Sequence, residues 1–182
     1  MLSLRELLGD AVREDPNARS LSYFFTGDIA WADERMIAAL KVEAATAGTK
    51  NARLCLHTGP DAAIHDMIIV EHAGCYYRPH KHMTKGETCH AISGRLLFVA
   101  FDDDGNVIGS RLLGDGDGLM FRVGAGQWHT VIPVDDQVVY HEAKLGPFLG
   151  AGDMVFPDWA PDGENASYAL AWQDRLVAGL QG

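Results

Sequence analysis

Three histidines and one glutamate, lying in two glycine-bracketed stretches, are the residues in this chain best suited to chemistry. The first stretch has the pattern G-x5-H-x-H-x4-E-x6-G and supplies His80, His82 and Glu87. The second has the pattern G-x5-G-x-G-x2-H and supplies His129. Imidazole nitrogens and a carboxylate oxygen together suit Fe, Mn, Ni, Zn or Cu, and the sequence does not choose among them. We therefore predict one divalent transition-metal site with these four residues as ligands.

The spacing of these residues is what predicts a shared site. On a strand His80 and His82 point to the same face about 7 Å apart, so both nitrogens reach one metal at about 2.1 Å each. The turn-like residues 83–86 allow Glu87 to return from a neighbouring strand, and His129 arrives from a distant strand as a closed barrel allows. An isolated H-x-H pair is usually a solvated face, so the prediction depends on all four residues together.

Short apolar segments separated by turn residues indicate a mainly β fold beyond residue 66. The predicted strands are 67–70, 76–82, 87–92, 96–101, 107–113, 119–123, 128–134 and 137–145. Eight short strands with regularly spaced turns indicate a double-sheet jelly roll or barrel. With a single set of ligands, we expect one barrel unit.

Helical patterns flank this β region. Ser3-Leu4-Arg5-Glu6 has the spacing of a capping box and predicts a short helix to about Glu14, and a second helix is predicted from about Ala32 to Ala45. The segment 166–180 reads as a third helix. The expected organisation is an N-terminal helical extension over 1–50, a β-barrel domain over 51–165 and a C-terminal helix over 166–182 packed on that domain.

Composition limits the classes of partner. The chain has 182 residues and a formal net charge of −10, which argues against a nucleic acid or an anionic membrane as partner because both need basic patches. We find no signal-peptide pattern and no apolar stretch of about 20 residues, so a cytoplasmic location is expected. Three widely spaced cysteines offer neither a disulfide framework nor a Cys-x-x-Cys zinc site.

The two glycine-bracketed stretches resemble the two motifs of the cupin superfamily, and the longer string resembles the WbuC-type cupin fold metalloproteins associated with polysaccharide gene clusters. The resemblance spans about residues 51–172. It rests on 77–82 (YRPHKH), 85–88 (KGET), 94–96 (GRL), 101–107 (FDDDGNV), 128–131 (WHTV), 142–148 (EAKLGPF) and 159–161 (WAP). It implies a single cupin double-stranded β-helix with helices at both ends. Gly124 and Pro133 depart from the usual second motif, where proline and asparagine are common, and neither is a predicted ligand.

Three further residues are candidates for catalysis. Arg78 shares the strand phase of His80 and His82, so it is expected either to hold an anionic group beside the metal or to form a structural salt bridge. Glu142 and Lys144 lie two residues apart on the last strand and therefore share one face. They form either an outward surface pair or an inward acid–base and substrate-binding pair, and strand parity alone does not decide between the two.

Four ligands on a six-coordinate metal leave two positions open, which is typical of catalytic rather than structural metals. The leading hypothesis is a metal-dependent isomerase, epimerase or lyase acting on a small polar molecule in the barrel, and the resemblance points toward sugar-derived molecules. A non-haem iron dioxygenase is one alternative, and a non-catalytic cupin that binds or senses a small ligand is another. Sheet edges and apolar outer faces of small jelly rolls commonly pair, so a homodimer is expected.

Overall fold

The computed structural model describes residues 2–18, 20–49 and 51–180. Its helices are α1 (Leu4–Leu8), α2 (Glu34–Ala47) and α3 (Ala166–Leu180). Its strands are β1 (Val12–Glu14), β2 (Leu21–Phe25), β3 (Asn51–Cys55), β4 (Ile64–His72), β5 (Glu87–Ser93), β6 (Leu96–Phe101), β7 (Val107–Leu113), β8 (Met120–Val123), β9 (Trp128–Pro133) and β10 (Gln137–Leu145). Short 3-10 turns occupy Gly9–Ala11 and Gly150–Gly152.

The strands form two sheets that face each other. The large sheet has the order β1-β2-β3-β4-β10-β5-β8 and the small sheet the order β7-β6-β9. Strands β2 and β3 are parallel, and the other paired strands of the described residues are antiparallel. Leu96 and Leu113 of the small sheet pack against Met67, Cys89 and Val138 of the large sheet, so the inner faces enclose one core. This is the predicted mainly β jelly roll.

The helices cover the outer faces of the sheets. Leu4 of α1 and Met36 and Leu40 of α2 pack against Leu54 and Val70 on the outside of the large sheet. The ends of α2 fit its sequence, since Asp33 accepts hydrogen bonds from two backbone amides at the start and Gly48 adopts the left-handed conformation at the end.

Helix α3 covers the outside of the small sheet in the same way. Trp172 and Leu176 pack against a cluster that includes Val99 and Ile132. Strand β6 is therefore enclosed on both sides, which explains why it is apolar at every position rather than at alternate ones.

The predictions of secondary structure are wrong near the N-terminus and before His80. The first 50 residues are not only helical, because the predicted helix stops at Leu8 and β1 and β2 join the edge of the large sheet. Strand β3 was also not predicted. The predicted strand 76–82 is an irregular extended segment that makes isolated bridges at His80 and Lys81, since Pro79 has no amide proton to contribute to a ladder.

Among the described residues, no helix has the length and apolar character needed to cross a membrane.

Candidate metal centre

The four predicted ligands come from three places in the fold and converge between the sheets. His80 and His82 lie on the extended segment, Glu87 begins β5 and His129 lies on β9. Ligand atoms of His80, Glu87 and His129 lie within 4.8 Å of one another. The Nε2 atom of His82 lies 3.3 Å from Oε2 of Glu87, and Nε2 of His129 lies 2.9 Å from Oε1. Glu87 is thus the residue on which the imidazoles converge.

Backbone carbonyl groups orient all three imidazole rings. Nδ1 of His80 lies 3.3 Å from the carbonyl oxygen of Arg78. Nδ1 of His82 lies 2.6 Å from that of Asp153, and Nδ1 of His129 lies 2.9 Å from that of Gln127. A carbonyl only accepts, so each Nδ1 donates and each Nε2 is left for another partner. Metal-bound histidines show the same arrangement in general.

The position of Glu87 depends on the close approach of its neighbour to β8. A side chain on Gly86 would bring its Cβ within 2.5 Å of the carbonyl oxygen of Val123, so only glycine allows β5 to begin there. Glu87 then pairs with Val123 and points inward. This close approach gives the Lys-Gly-Glu sequence a structural reason.

The burial and the shifted pKa values of these residues favour the binding of a cation. Burial lowers the pKa of His80 to about 3, with help from the nearby charge of His129, so this ring is neutral at physiological pH. Burial alone would raise the pKa of Glu87, but the hydrogen bond from His129 and the proximity of His82 and Lys144 hold it well below its usual value. Among the described residues, no hydrogen-bond partner satisfies the buried Nε2 atom of His82. A buried polar atom left unpaired in this way generally costs about 1–3 kcal/mol. A metal ion would satisfy this atom, so the residues fit a metal.

His129 makes metal affinity depend on pH. Burial disfavours its protonated form, but the hydrogen bond to Glu87 and its negative charge raise its pKa above 6.5. In the metal-free protein the resulting ion pair stabilises the fold below pH 6.5, and this contribution is lost as pH rises through the raised pKa.

Metal binding must remove that proton, so we expect affinity to increase as pH rises through the raised pKa of His129 and then to level off. Calorimetric titration with Zn(II) in buffers of different ionisation enthalpy measures both the affinity and the protons released. An affinity that does not change between pH 6 and pH 8 would contradict a role for His129 as a ligand.

Glu142 and Lys144 point inward, beside the predicted ligands. On β10, Glu142 pairs with Cys89 and Lys144 pairs with Glu87, so the register of β5 sets their common face. Their charged groups are 2.8 Å apart, and Nζ of Lys144 lies 3.9 Å from Oε2 of Glu87. Burial opposes the charge on Lys144, but the two carboxylates raise its pKa and keep it cationic. The outward alternative is therefore wrong.

A second group of potential ligands overlaps the first. Atoms of Glu87, Cys89 and Glu142 also lie within 4.8 Å of one another. Burial raises the pKa of the Cys89 thiol well above its usual value, and Lys144 already occupies the side of Glu142 as a cation. The first group, with two imidazoles and a carboxylate, is the better match for a transition metal.

Arg78 lies at the rim rather than in the cluster. Its guanidinium stacks over the ring of Phe156 at 4.8 Å and donates to the carbonyl of Pro157 at 3.2 Å. The strand parity used to predict an inward Arg78 does not hold, because the segment before His80 is not a regular strand. The ring of Phe156, over which Arg78 stacks, lies 6.4 Å from the ring of His80.

Two residues behind His82 were not predicted. The buried Lys85 and Asp153 form a close ion pair, and the carbonyl of Asp153 accepts from His82. Lys85 belongs to the Lys-Gly-Glu sequence, which offered a signal. Asp153 lies 71 residues from His82 in sequence, and nothing in its local pattern marked it.

Together these features define a class: a single cupin-fold jelly roll with a candidate metal centre between its sheets. A family model described as "Domain of unknown function (DUF6016)" matches residues 32–113, which include His80, His82 and Glu87 but end before His129. No curated protein matches the sequence.

Solved structures of cupin-fold proteins are similar to this chain in fold. CapF, solved with the inhibitor 3-isopropenyl-tropolone, matches 59% of this chain and 32% of its own at 16% identity and a TM-score of 0.50. Oxalate decarboxylase of Bacillus subtilis, which has Mn(II) centres, matches 52% of this chain and 24% of its own at 22% identity and a TM-score of 0.41. A chain from the structures of the DMSP lyases RdDddP and RnDddQII matches 52% of this chain and 44% of its own at 20% identity and a TM-score of 0.41. This chain spans less than half the length of each of these solved chains, and its match to CapF shows a likeness of fold alone.

Proposed function

We propose that this protein is a metal-dependent enzyme acting on a small polar molecule bound between the sheets, with His80, His82, Glu87 and His129 as ligands to one divalent transition metal. The observation that carries the proposal is the convergence on Glu87. One carboxylate oxygen faces His129 at 2.9 Å and the other faces the unsatisfied Nε2 of His82 at 3.3 Å.

A divalent metal held there by four protein ligands supplies a Lewis acid that polarises a carbonyl or hydroxyl group. The residues of the chain bind and orient the substrate around it. Lys144 lies 3.9 Å from Glu87 and is held in place by Glu142, so its ammonium group is ready to donate hydrogen bonds to an anionic or carbonyl oxygen.

Glu142 and Arg78 complete the roles that we assign. Glu142 is a buried carboxylate whose hydrogen bond to Lys144 fixes both side chains, and we assign it the role of accepting a proton from a bound substrate. To Arg78, which stacks over Phe156 beside His80, we assign the role of holding an anionic group of the substrate. Because the side chains of Glu87 and His82 are at most 5% exposed, bulk water is largely excluded from the site.

Two other functions fit the same ligands and are separated by experiment. Three imidazoles and a carboxylate also suit Fe(II), which favours a non-haem iron dioxygenase. The burial of the cluster favours a cupin that only binds or senses a ligand. Sugar-derived substrates, as in the WbuC-type resemblance, and a homodimer remain predictions.

Turnover assays on metal-loaded protein distinguish these functions. The protein is loaded separately with Fe(II), Mn(II), Ni(II), Zn(II) or Cu(II) and incubated with small sugar-derived and carboxylate compounds, with and without oxygen. We expect product without oxygen consumption, lost on Lys144→Met. Oxygen consumption with Fe(II) alone would favour the dioxygenase, and tight metal-linked binding without product would favour the sensor.

A further inference from the structure

We propose that Asp153 is a positioning residue for His82. The buried ion pair with Lys85 fixes Asp153, whose carbonyl oxygen holds Nδ1 of His82 and so directs Nε2 to the metal. The proposal rests on the proposed metal site for its consequence, but the positioning itself concerns only protein groups.

His82 differs from the other two histidines in the origin of its carbonyl partner. His80 and His129 are each held by the residue two positions earlier in the chain. The equivalent carbonyl for His82 belongs to His80, and it already accepts the backbone amide of His129 at 2.9 Å. Nδ1 of His82 therefore donates to the carbonyl of Asp153. The orientation of its ring depends on a contact distant in sequence rather than on its own extended segment.

The segment that carries Asp153 runs antiparallel to the segment that carries the histidines. Lys81 and Val155 exchange two backbone hydrogen bonds of 3.0 and 2.9 Å. Near the other end, the amide of Phe148 donates to the carbonyl of Pro60 at 2.7 Å. We call residues 147–157 the strap. It has no regular secondary structure beyond a short 3-10 turn, so specific side-chain contacts must set its distance from His82.

The contact that sets this distance is the ion pair. The side chains of Lys85 and Asp153 are 5% and 1% exposed. Nζ of Lys85 also donates to the carbonyl of Pro147 at 2.9 Å, and Oδ1 of Asp153 accepts the amide of Leu149 at 3.3 Å. Oδ2 of Asp153 lies 3.5 Å from Nδ1 of His82, so the carboxylate faces the same ring edge as the carbonyl.

Such a pair is better explained by positioning than by stability. Burying two charges costs about as much as their attraction returns, so a buried ion pair adds little net stability. The pair does fix geometry, since each charge requires the other at one place. Partners of metal-binding histidines typically change metal affinity by about 10- to 100-fold when they are removed.

The test compares Asp153→Asn with a destabilised control in two measurements. Leu40→Ala removes a fully buried side chain of α2 that packs on the outer face of the large sheet. This substitution lowers the unfolding temperature without touching the strap. The first measurement is NMR of the metal-free protein, which reports whether Nδ1 of His82 carries a protected proton. The second is the affinity for Co(II), with its absorption spectrum as a report of ligand geometry.

We expect the wild type and Leu40→Ala to show the protected Nδ1 proton and the same Co(II) spectrum and affinity. Asp153→Asn is expected to lose the proton signal, to bind Co(II) about 10- to 100-fold more weakly and to alter its spectrum. The proposal is overturned if Asp153→Asn keeps the proton signal, or if Leu40→Ala loses it as well. If the wild type binds no Co(II), the proposed function fails, and the NMR comparison alone decides the role of Asp153.

Discussion

Replacing Glu87 with glutamine is expected to remove stable metal binding. The substitution keeps the size of the side chain but replaces the anionic ligand on which the imidazoles converge with a neutral amide. It also lowers the pKa of His129 and so weakens proton competition for the metal, which is a smaller effect in the opposite direction. Loss of a ligand costs more than the ~10- to 100-fold that loss of a ligand's partner costs, so we expect affinity to fall by more than 100-fold. Competition with a chromophoric chelator measures it.

Glu142→Gln is the matched control, because it makes the same chemical change at a buried position on the neighbouring strand. Glu142 is not among the predicted ligands, so this variant should keep metal affinity within about 10-fold. Together with Cys89→Ser, it also tests the overlapping group of potential ligands. Loss of metal binding in both Glu142→Gln and Cys89→Ser would show that the metal is bound by Glu87, Cys89 and Glu142 rather than by His80 and His129.

Phe25→Ala is expected to destabilise the whole protein by about 3–5 kcal/mol. Phe25 lies on β2, is 1% exposed, and belongs to the cluster that joins α1 and α2 to the large sheet. Because β2 pairs with β3 and the cluster around Phe25 includes Ile68 and Val70 of β4, the N-terminal segment packs on the outer face of the large sheet. Chemical denaturation of the metal-free protein measures the free energy of unfolding.

Ile29→Ala provides the comparison for this substitution, since Ile29 is 80% exposed and should change stability by less than about 0.5 kcal/mol. We expect a single unfolding transition in both variants. If Phe25→Ala instead produced a separate early unfolding transition and left the free energy of the main transition unchanged, the segment before β3 would fold independently of the other strands.

The parts of the fold that could be predicted are those whose local pattern determines their burial. Strands β6, β7 and β10 and helix α3 have the predicted bounds, because apolar periodicity and flanking turns agree there. Strands β1, β2 and β3 were missed because they are short and pair with distant residues, as Ala52 does with Val70. Their burial follows from the sheet and from the helices on it, not from their own pattern.

The candidate site also has residues that the sequence predicts and residues whose roles only the folded structure shows. The four predicted ligands stand out by residue type and spacing, and the structure places Glu87 beside His129 and His82. The inward direction of Lys144 required the register of β10 on β5. Asp153 required the path of the strap, because its contact with His82 joins two irregular segments that no periodic pattern describes.

An anomalous difference map shows whether one metal ion is bound where the three imidazoles meet Glu87. Crystals of protein purified without chelators and supplied with Mn(II), Fe(II), Co(II) or Zn(II) are measured on both sides of the absorption edge of the metal. We expect one strong peak within about 2.3 Å of Nε2 of His80, His82 and His129 and of a carboxylate oxygen of Glu87. A map without a peak there, or with the peak between Cys89 and Glu142, would show that these four residues do not hold the metal.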